Sequence, residues 1–469
     1  MITKFIKRIL RRDPMAKHTQ ANHTGAPKRI PKKTHRIDPH LLSKNAVKVT
    51  DTLQQAGYEA FIVGGAVRDL VLGIGPKDFD VATNATPDQV QKLFRKARLI
   101  GRRFQIVHVT FFGKGHPEII EVSTFRALLD NAGDHLAESG RILRDNVWGS
   151  QGEDATRRDF SINAMYYDPS SETVLDYHGG MVDIQKKTLR MIGDPVKRYR
   201  EDPIRMLRAI RFAAKTGFSL EAATRSPITK LSTLLQDVPS ARLFDEILKL
   251  LMSGYSWAAI QGLRDAGLHH GLLPLLDHIL DSSEDSKEAN QFVKLALANT
   301  DQRIQSGKSV SAGFLFATLL WPDLLKNWNV NLAKGMANIP ALQDAMDDTI
   351  ATQSSAITIH RRFESDMCEI WSMQPRFEKR VGRYPYRLIE SPRFRAGYDF
   401  LLLRCATGEK DTALGQWWTD FIAADPNGQE ALMASAKNEV GNSASPPKKR
   451  RRRKPKSVST ASPTENTPS

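Results

Sequence analysis

The sequence predicts an α+β protein, a small mixed-sheet head followed by an extended all-helical remainder. Two observations carry this. From Glu59 to about Thr124 the short apolar runs FIVGG, KDFDVAT, RFQIVHVTFF and PEIIEVSTF alternate with helical segments, and further along helical periodicity dominates up to about Ala434. A third observation bounds the number of cores: 469 residues with 41% hydrophobic content can fill two to four domains, and no repeat of fixed period runs through them.

Residues 41–57 read as a helix. FIVGG is a short strand running into Gly64 and Gly65, after which AVRDLVLG has helical spacing. KDFDVAT is the next strand; Asp78 and Asp80 are two apart in it, so their carboxylates leave the same face. TPDQVQKLFRKA is an N-capped helix between the second and third strands. Residues 127–153 lack strong periodicity and read as a long loop, followed by RRDFSINAMYYD and a hairpin-like ETVLDYHGGMVD. In YREDPIRMLRAIRFAAK, Tyr199 to Lys215, Asp202 and Pro203 stand where the N-cap and first residue of a helix belong.

The net charge of +16 is unevenly placed. Residues 1–37 carry +10 and residues 442–469 carry +7, leaving the 404 residues between them at −1. The basic block Lys448 to Lys454 sits in a Pro/Ser/Thr-rich tail that cannot bury a core, and such tails dock on polyanions, serve solubility or act as import signals. At the other end, Ile2, Phe5, Ile6, Ile9 and Leu10 oppose Lys4, Lys7, Arg8 and Arg11 in a short basic amphipathic helix, which could touch an anionic membrane weakly; Met15 is an alternative start. No apolar run is long enough to span a membrane and no secretory signal is present. Cys368 and Cys405, the only two cysteines, have no metal-ligand spacing and fit a reducing, cytoplasmic compartment.

The chemistry concentrates in three places. A strand, a Gly-Gly turn and a helix start present free backbone N–H groups to an anion, while the Asp78–Asp80 pair needs a cation, and an oxygen-only pair suits Mg²⁺. Together they describe a nucleoside triphosphate site. A third carboxylate should complete it: Glu121 is the local candidate, with Glu118 its competitor, because Ile119, Ile120 and Val122 do not settle which residue faces where. Arg126 could reach a phosphate or pair with Asp130. In DATRRDFSINA, Arg157 and Arg158 beside Asp159 form either a triphosphate clamp or an internal salt bridge at a helix end. Finally Arg205, Arg208 and Arg211 recur every three residues within a sector of roughly 120° on an otherwise apolar helix. Buried guanidinium groups need anions, supplied by a triphosphate or by an internal network with Glu201 and Asp202, and a planar Arg with Asp202 can also read a base edge.

GGAVRD, DFDV, RRDFSINA and EDPIRMLRAIRF, in this order over about residues 60–215, resemble the bacterial poly(A) polymerases and tRNA CCA-adding enzymes, class II of the polymerase-β-like nucleotidyltransferase superfamily. The poly(A) polymerase branch is favoured by FGKGHPEIIEVSTFR, LLRDNVWGS, PSARLFDEILKLL, PRFRAGYDFLLLR and the Trp417–Trp418 pair ahead of a basic tail; no His-Asp dipeptide marks an added phosphohydrolase domain. The GKG at 113–115 departs from the pattern as an insertion. The resemblance implies a disordered basic leader (1–40), a nucleotidyltransferase head (41–190), a helical neck (191–255), a helical RNA-binding body (256–435) and a disordered basic tail (436–469). It implies two Mg²⁺ ions on Asp78 and Asp80, Asp159 as a further catalytic carboxylate, and nucleotide binding by Gly64, Gly65, Arg68, Arg158, Arg208 and Arg211, with Asp202 and Arg205 selecting the base. The implied activity is template-independent addition of AMP from ATP to RNA 3′ ends by a cytoplasmic monomer, in contact with RNA-decay machinery or an RNA chaperone. CCA addition to tRNA, and an RNA-binding protein with an inactive head, are the rival readings.

Overall fold

The computed structural model describes residues 25–101, 105–113, 117–127, 147–269 and 287–443. The amphipathic segment 1–12, Met15, Asp130, most of the GKG insertion and the block Lys448–Lys454 lie outside them.

Eight strands form one sheet: β1 (Lys28–Pro31), β2 (Ala60–Val63), β3 (Asp80–Thr83), β4 (Ala97–Ile100), β5 (Ile106–Phe111), β6 (Glu118–Thr124), β7 (Met165–Asp168) and β8 (Thr173–Asp176). Their order is β1-β8-β7-β2-β3-β6-β5-β4, and β3 with β6 is the one parallel pair, which makes the sheet mixed, as predicted, though larger than its four readable strands. The centre is the driest part: Ile62, Val63, Val81, Ala82, Tyr166 and Tyr167 are buried. Helix α1 (Lys44–Gln55) covers it with Ala46, Val49, Thr50 and Leu53, one stripe at helical spacing.

Local chemistry sets the boundaries. Helix α2 (Gly65–Val71) follows the Gly-Gly turn. Helix α3 (Pro87–Leu93) starts with a capping box between Thr86 and Gln89, as its sequence predicts, but stops early because the chain turns extended at Phe94 and enters β4. A second capping box, Ser150 with Glu153, starts helix α4 (Gln151–Arg157) inside the stretch read as loop. ETVLDYHGGMVD is not a hairpin by itself: β8 returns against β7, and helix α5 (Gly180–Gln185) follows because Asp176 accepts from the backbone N–H of Gly180 (2.9 Å) and Met181 (3.0 Å). Lys28–Pro31, placed in the leader by sequence, is the edge strand paired with β8.

Helices α6 (Pro195–Glu201), α7 (Ile204–Thr216) and α8 (Ser240–Leu251) succeed the sheet, and the remainder of the described chain is almost wholly helical. α7 packs against α8 and against Ser256–Asp265. The chain divides into two compact units, one ending at Cys368 and one beginning at Glu369, and the boundary falls within the stretch 256–435. The second unit has its own aromatic core around Trp418, Phe377, Phe394 and Phe421, where the Trp418 indole donates to the Phe377 carbonyl at 2.9 Å.

Candidate active site

Asp80 opens β3, and Asp78 precedes the strand rather than lying in it. The expected shared face survives, because exposure alternates from Asp78 through buried Phe79 to Asp80 and buried Val81. Parallel pairing sets Asp80 directly beside Glu121 on β6, and the same cross-strand row continues to His108 on β5 and Arg98 on β4. Glu118 has the opposite parity and is used elsewhere: its two oxygens accept from Ser43 Oγ and Asn45 Nδ2, both at 2.5 Å. Asp80 is open to the cleft but has protein packed around its other sides, and this partial desolvation, with the neighbouring Glu121, pushes its pKa up to about 6; Arg158 opposes the rise and Asp78 adds to it.

Among the described residues no three His, Cys, Asp or Glu side chains converge into a ready-made metal site. The side chains present nevertheless fit Mg²⁺, which is usually held by one or two carboxylates and completes its shell with water and substrate phosphates. Mutually repelling hard oxygen donors around Asp80 are the donor set such an ion neutralises.

Gly64 carries the turn at φ 71°, ψ −132°, a region closed to most side chains. It is also where three groups meet: a Cβ there would lie 3.3 Å from Arg158 Nη1 and 3.9 Å from Asp80 Oδ2. Arg158 ends α4, donates to Asp154 Oδ2 (3.1 Å) and the Tyr166 hydroxyl (3.2 Å), and lies over the Tyr166 ring. Burial disfavours its charge, but Tyr166 and Asp154 outweigh that and keep it protonated. Arg68, on α2, is 2% exposed and is fixed by Asp69 Oδ1 (2.8 Å) and Asn163 Oδ1 (2.7 Å).

The three arginines of α7 do share one wall, as their spacing predicts, and each has a carboxylate partner on a different element. Arg205 donates to Glu201 (2.9 Å) and to the Arg198 carbonyl, Arg208 to Asp159 (2.7 Å from Nε), and Arg211 to Glu246 on α8 (2.6 Å). The guanidinium groups of Arg68, Arg208 and Arg211 all lie over the Phe212 ring, at 5.1, 5.3 and 4.3 Å. Asp159 is buried. Burial works against its charge, but Arg208, Asn163 and the Phe160 N–H prevail and bring its pKa down to about 2. Asp202 does not cap α7, whose preceding residue is Pro203; one oxygen of Asp202 pairs with Arg242 (3.0 Å), while the other is buried without a partner in the wall of the cleft. Arg198 ties α6 to the end of α4 by donating to the carbonyls of Arg157 and Arg158, both at 2.5 Å.

These groups line one cleft of about 600 Å³, where nine Arg or Lys face five carboxylates. Of the expected residues, Gly64, Gly65, Arg68, Asp80, Arg158, Asp159, Asp202, Arg205, Arg208 and Arg211 all line it, and Asp78 does not. A smaller cavity of about 330 Å³ adjoins it, sharing Asp80, Arg157, Arg158 and Arg205 and adding Glu121, Ser123 and Arg126. Sequence reading passed over Tyr166, Asn163, Phe212, Lys215, Arg242 and Glu246. Only the last had a local signal: Glu246 is a carboxylate on the apolar face of α8, among Leu243, Ile247 and Leu250.

Comparison with known proteins bears on the family and the fold. Residues 60–190 match the family described as "Poly A polymerase head domain", 217–280 "Probable RNA and SrmB- binding site of polymerase A", and 334–457 "Polymerase A arginine-rich C-terminus". Poly(A) polymerase I of Salmonella typhimurium is 44% identical over 426 residues, 89% of this chain and 90% of that one. A CCA-adding enzyme of Bacillus pumilus is 38% identical, but over 51% of this chain and 57% of its own. The solved Bacillus stearothermophilus CCA-adding enzyme in complex with CTP superposes with a TM-score of 0.56 at 24% identity, covering 86% of this chain and 94% of that one, which establishes the shared fold. The chain belongs to the poly(A) polymerase I family.

Proposed function

We propose that this protein is a polynucleotide adenylyltransferase that extends RNA 3′ ends without a template, adding AMP from ATP and releasing pyrophosphate. The observation that carries the reading is extent: the poly(A) polymerase likeness runs through almost the whole of both chains, whereas the CCA-adding likeness in sequence stops at about half.

The site supports the chemistry residue by residue. Asp78 and Asp80, joined by Glu121 in register, would hold Mg²⁺. Bound there, the two ions would acidify the RNA 3′-hydroxyl and shield the triphosphate. The 3′-oxygen attacks the α-phosphorus in line, a P–O bond forms, and the bond to the β-phosphate oxygen breaks. Arg68, Arg158, Arg208 and Arg211 surround the cleft that receives the leaving pyrophosphate and neutralise its charge without having to reorganise. Gly64 and Gly65 admit the phosphates close to the backbone. The unpartnered oxygen of Asp202 is an acceptor for the adenine amino group, and Arg205, locked by Glu201, frames the base.

Between the candidate third carboxylates we assign Glu121, because it stands beside Asp80, and give Asp159 the task of fixing Arg208. The head (41–190) and neck (191–255) would form the reaction cleft and the more distal helices the RNA path. We place the reaction in the cytoplasm on the evidence of two free cysteines. RNA-decay machinery or an RNA chaperone would be the partners, and residues 1–12 a weak membrane contact; no helix of the described residues is long and apolar enough to cross a membrane.

The test is to offer a generic RNA and each nucleoside triphosphate separately, with magnesium. Long products from ATP alone support the reading. CTP addition that stops after a few nucleotides would mean CCA addition, and no incorporation with RNA still bound would mean an inactive head.

A further inference from the structure

The cross-strand row through the site does not stop at Glu121. Arg98, His108, Glu121 and Asp80 occupy directly opposed positions on four neighbouring strands, so all four leave the same face of the sheet. The alternation of exposure confirms the face: Arg98 and Glu121 are exposed and His108 is half-buried, while Val107, Val109, Ile120 and Val122 point into the core. His108 Nε2 lies 3.4 Å from Glu121 Oε1, and Arg98 stands beside it on the edge strand.

We propose that His108 is a positioning residue: it holds the Glu121 carboxylate in the orientation that serves the Asp80 edge of the site. This rests on the assignment of Glu121 given above. The physical reason is that Glu121 is exposed and sits on an otherwise open face, where a long carboxylate has several rotamers to choose from. Among the described residues it makes no backbone or arginine hydrogen bond of the kind that fixes Asp159, and the side chain closest at hand is His108, at 3.4 Å. A ring nitrogen on a rigid strand restricts it, as groups behind metal-binding carboxylates do, and loss of such a group typically costs about 10–100-fold in metal affinity or activity.

The experiment uses the full-length protein and the variants His108→Ala, His108→Gln, Glu121→Gln and His108→Ala/Glu121→Gln. Two readouts are taken: the Mg²⁺ concentration that half-saturates binding of a non-hydrolysable ATP analogue in calorimetry without RNA, and kcat and KM for AMP addition. His108→Ala is expected to raise the Mg²⁺ requirement by about tenfold and lower kcat similarly, with KM for RNA unchanged. His108→Gln, which keeps a side-chain donor, should recover most of this. In the Glu121→Gln background, His108→Ala should add nothing. An unchanged Mg²⁺ requirement in His108→Ala, or equal losses in both backgrounds, overturns the proposal while leaving the active-site reading intact. Full activity in Glu121→Gln would instead overturn the assignment of Glu121 on which it depends. If His108→Ala fails to fold, a rise of about tenfold or more in the Mg²⁺ requirement of His108→Gln would also overturn it, since the donor is retained there.

Discussion

Arg211 and Glu246 form an ion pair at 2.6 Å in which Glu246 is 4% exposed, and it clasps α7 to α8 at the wall of the cleft. A buried pair of this kind is costly to break on one side only, because the surviving charge has no partner. Glu246→Ala should destabilise the sheet-bearing unit by about 3 kcal/mol, the lower end of the usual range because cleft water can reach Arg211. Chemical denaturation measures this. Added ATP should recover part of the loss, since a triphosphate supplies the missing anion.

Asp78→Ala and Asp80→Ala should each abolish AMP addition while RNA binding persists in a filter or mobility assay. Asp78 lies just before β3 and is exposed, and Asp80 is exposed towards the cleft, so neither supports the core and melting temperatures should stay within a few degrees of wild type. Appreciable activity in either variant would move the chemistry away from this edge.

Gly64→Ala combines two penalties. The φ of 71° is strained for any side chain, by about 1–3 kcal/mol, and the new methyl would press on Arg158 Nη1 at 3.3 Å. The expected result is a loss of at least about tenfold in kcat/KM for ATP with the fold retained. Gly65→Ala should be milder, because its Cβ would meet only the end of Arg68 at 3.6 Å.

Asp159 gives a pH signature. Its folded pKa of about 2 lies below the usual 3.8, so its charged form, held by Arg208, Asn163 and the Phe160 N–H, adds stability that is fully present above about pH 5 and disappears as pH falls towards 2. At neutral pH the contribution is about 2 kcal/mol. The stability gap between wild type and Asp159→Asn should therefore be widest near neutrality and narrow steadily in acid, which melting curves across pH 2 to 7 would follow. A gap independent of pH would show that the charged form of Asp159 is not the source of the effect.

Much of the site was legible because its signals are local. Gly64, Gly65, Asp80, Arg158 and the arginines at spacing three lie within short motifs whose periodicity already fixes their faces. The start of β3 was misplaced by a few residues because Asp78 and Phe79 keep strand alternation without being hydrogen-bonded into the ladder. Glu118 and Glu121 could not be told apart from sequence, since Ile119 and Ile120 are equally apolar; only the sheet shows Ile120 in the core and Ile119 at 45% exposure. The partners of the α7 arginines were harder still. Asp159 lies 49 residues from Arg208 and Glu246 lies 35 from Arg211, and no periodicity links such positions. Strands β1 and β4 escaped because four residues rich in Lys, Arg and Pro, or following directly on a helix, carry too little alternation to read.

The parallel pairing of β3 with β6 has a consequence for how this sequence can change. Strand neighbours alternate with a period of two, so inserting or deleting one residue within Glu118–Thr124 would bring Ile120 or Val122 opposite Asp80 and turn Glu121 towards the apolar interior. A substitution at exposed Ile119 alters one side chain, but a frame slip of one position rewrites the whole catalytic face at once. Divergence in this strand should therefore proceed by exchange of residues at constant length, and length variation should accumulate outside it.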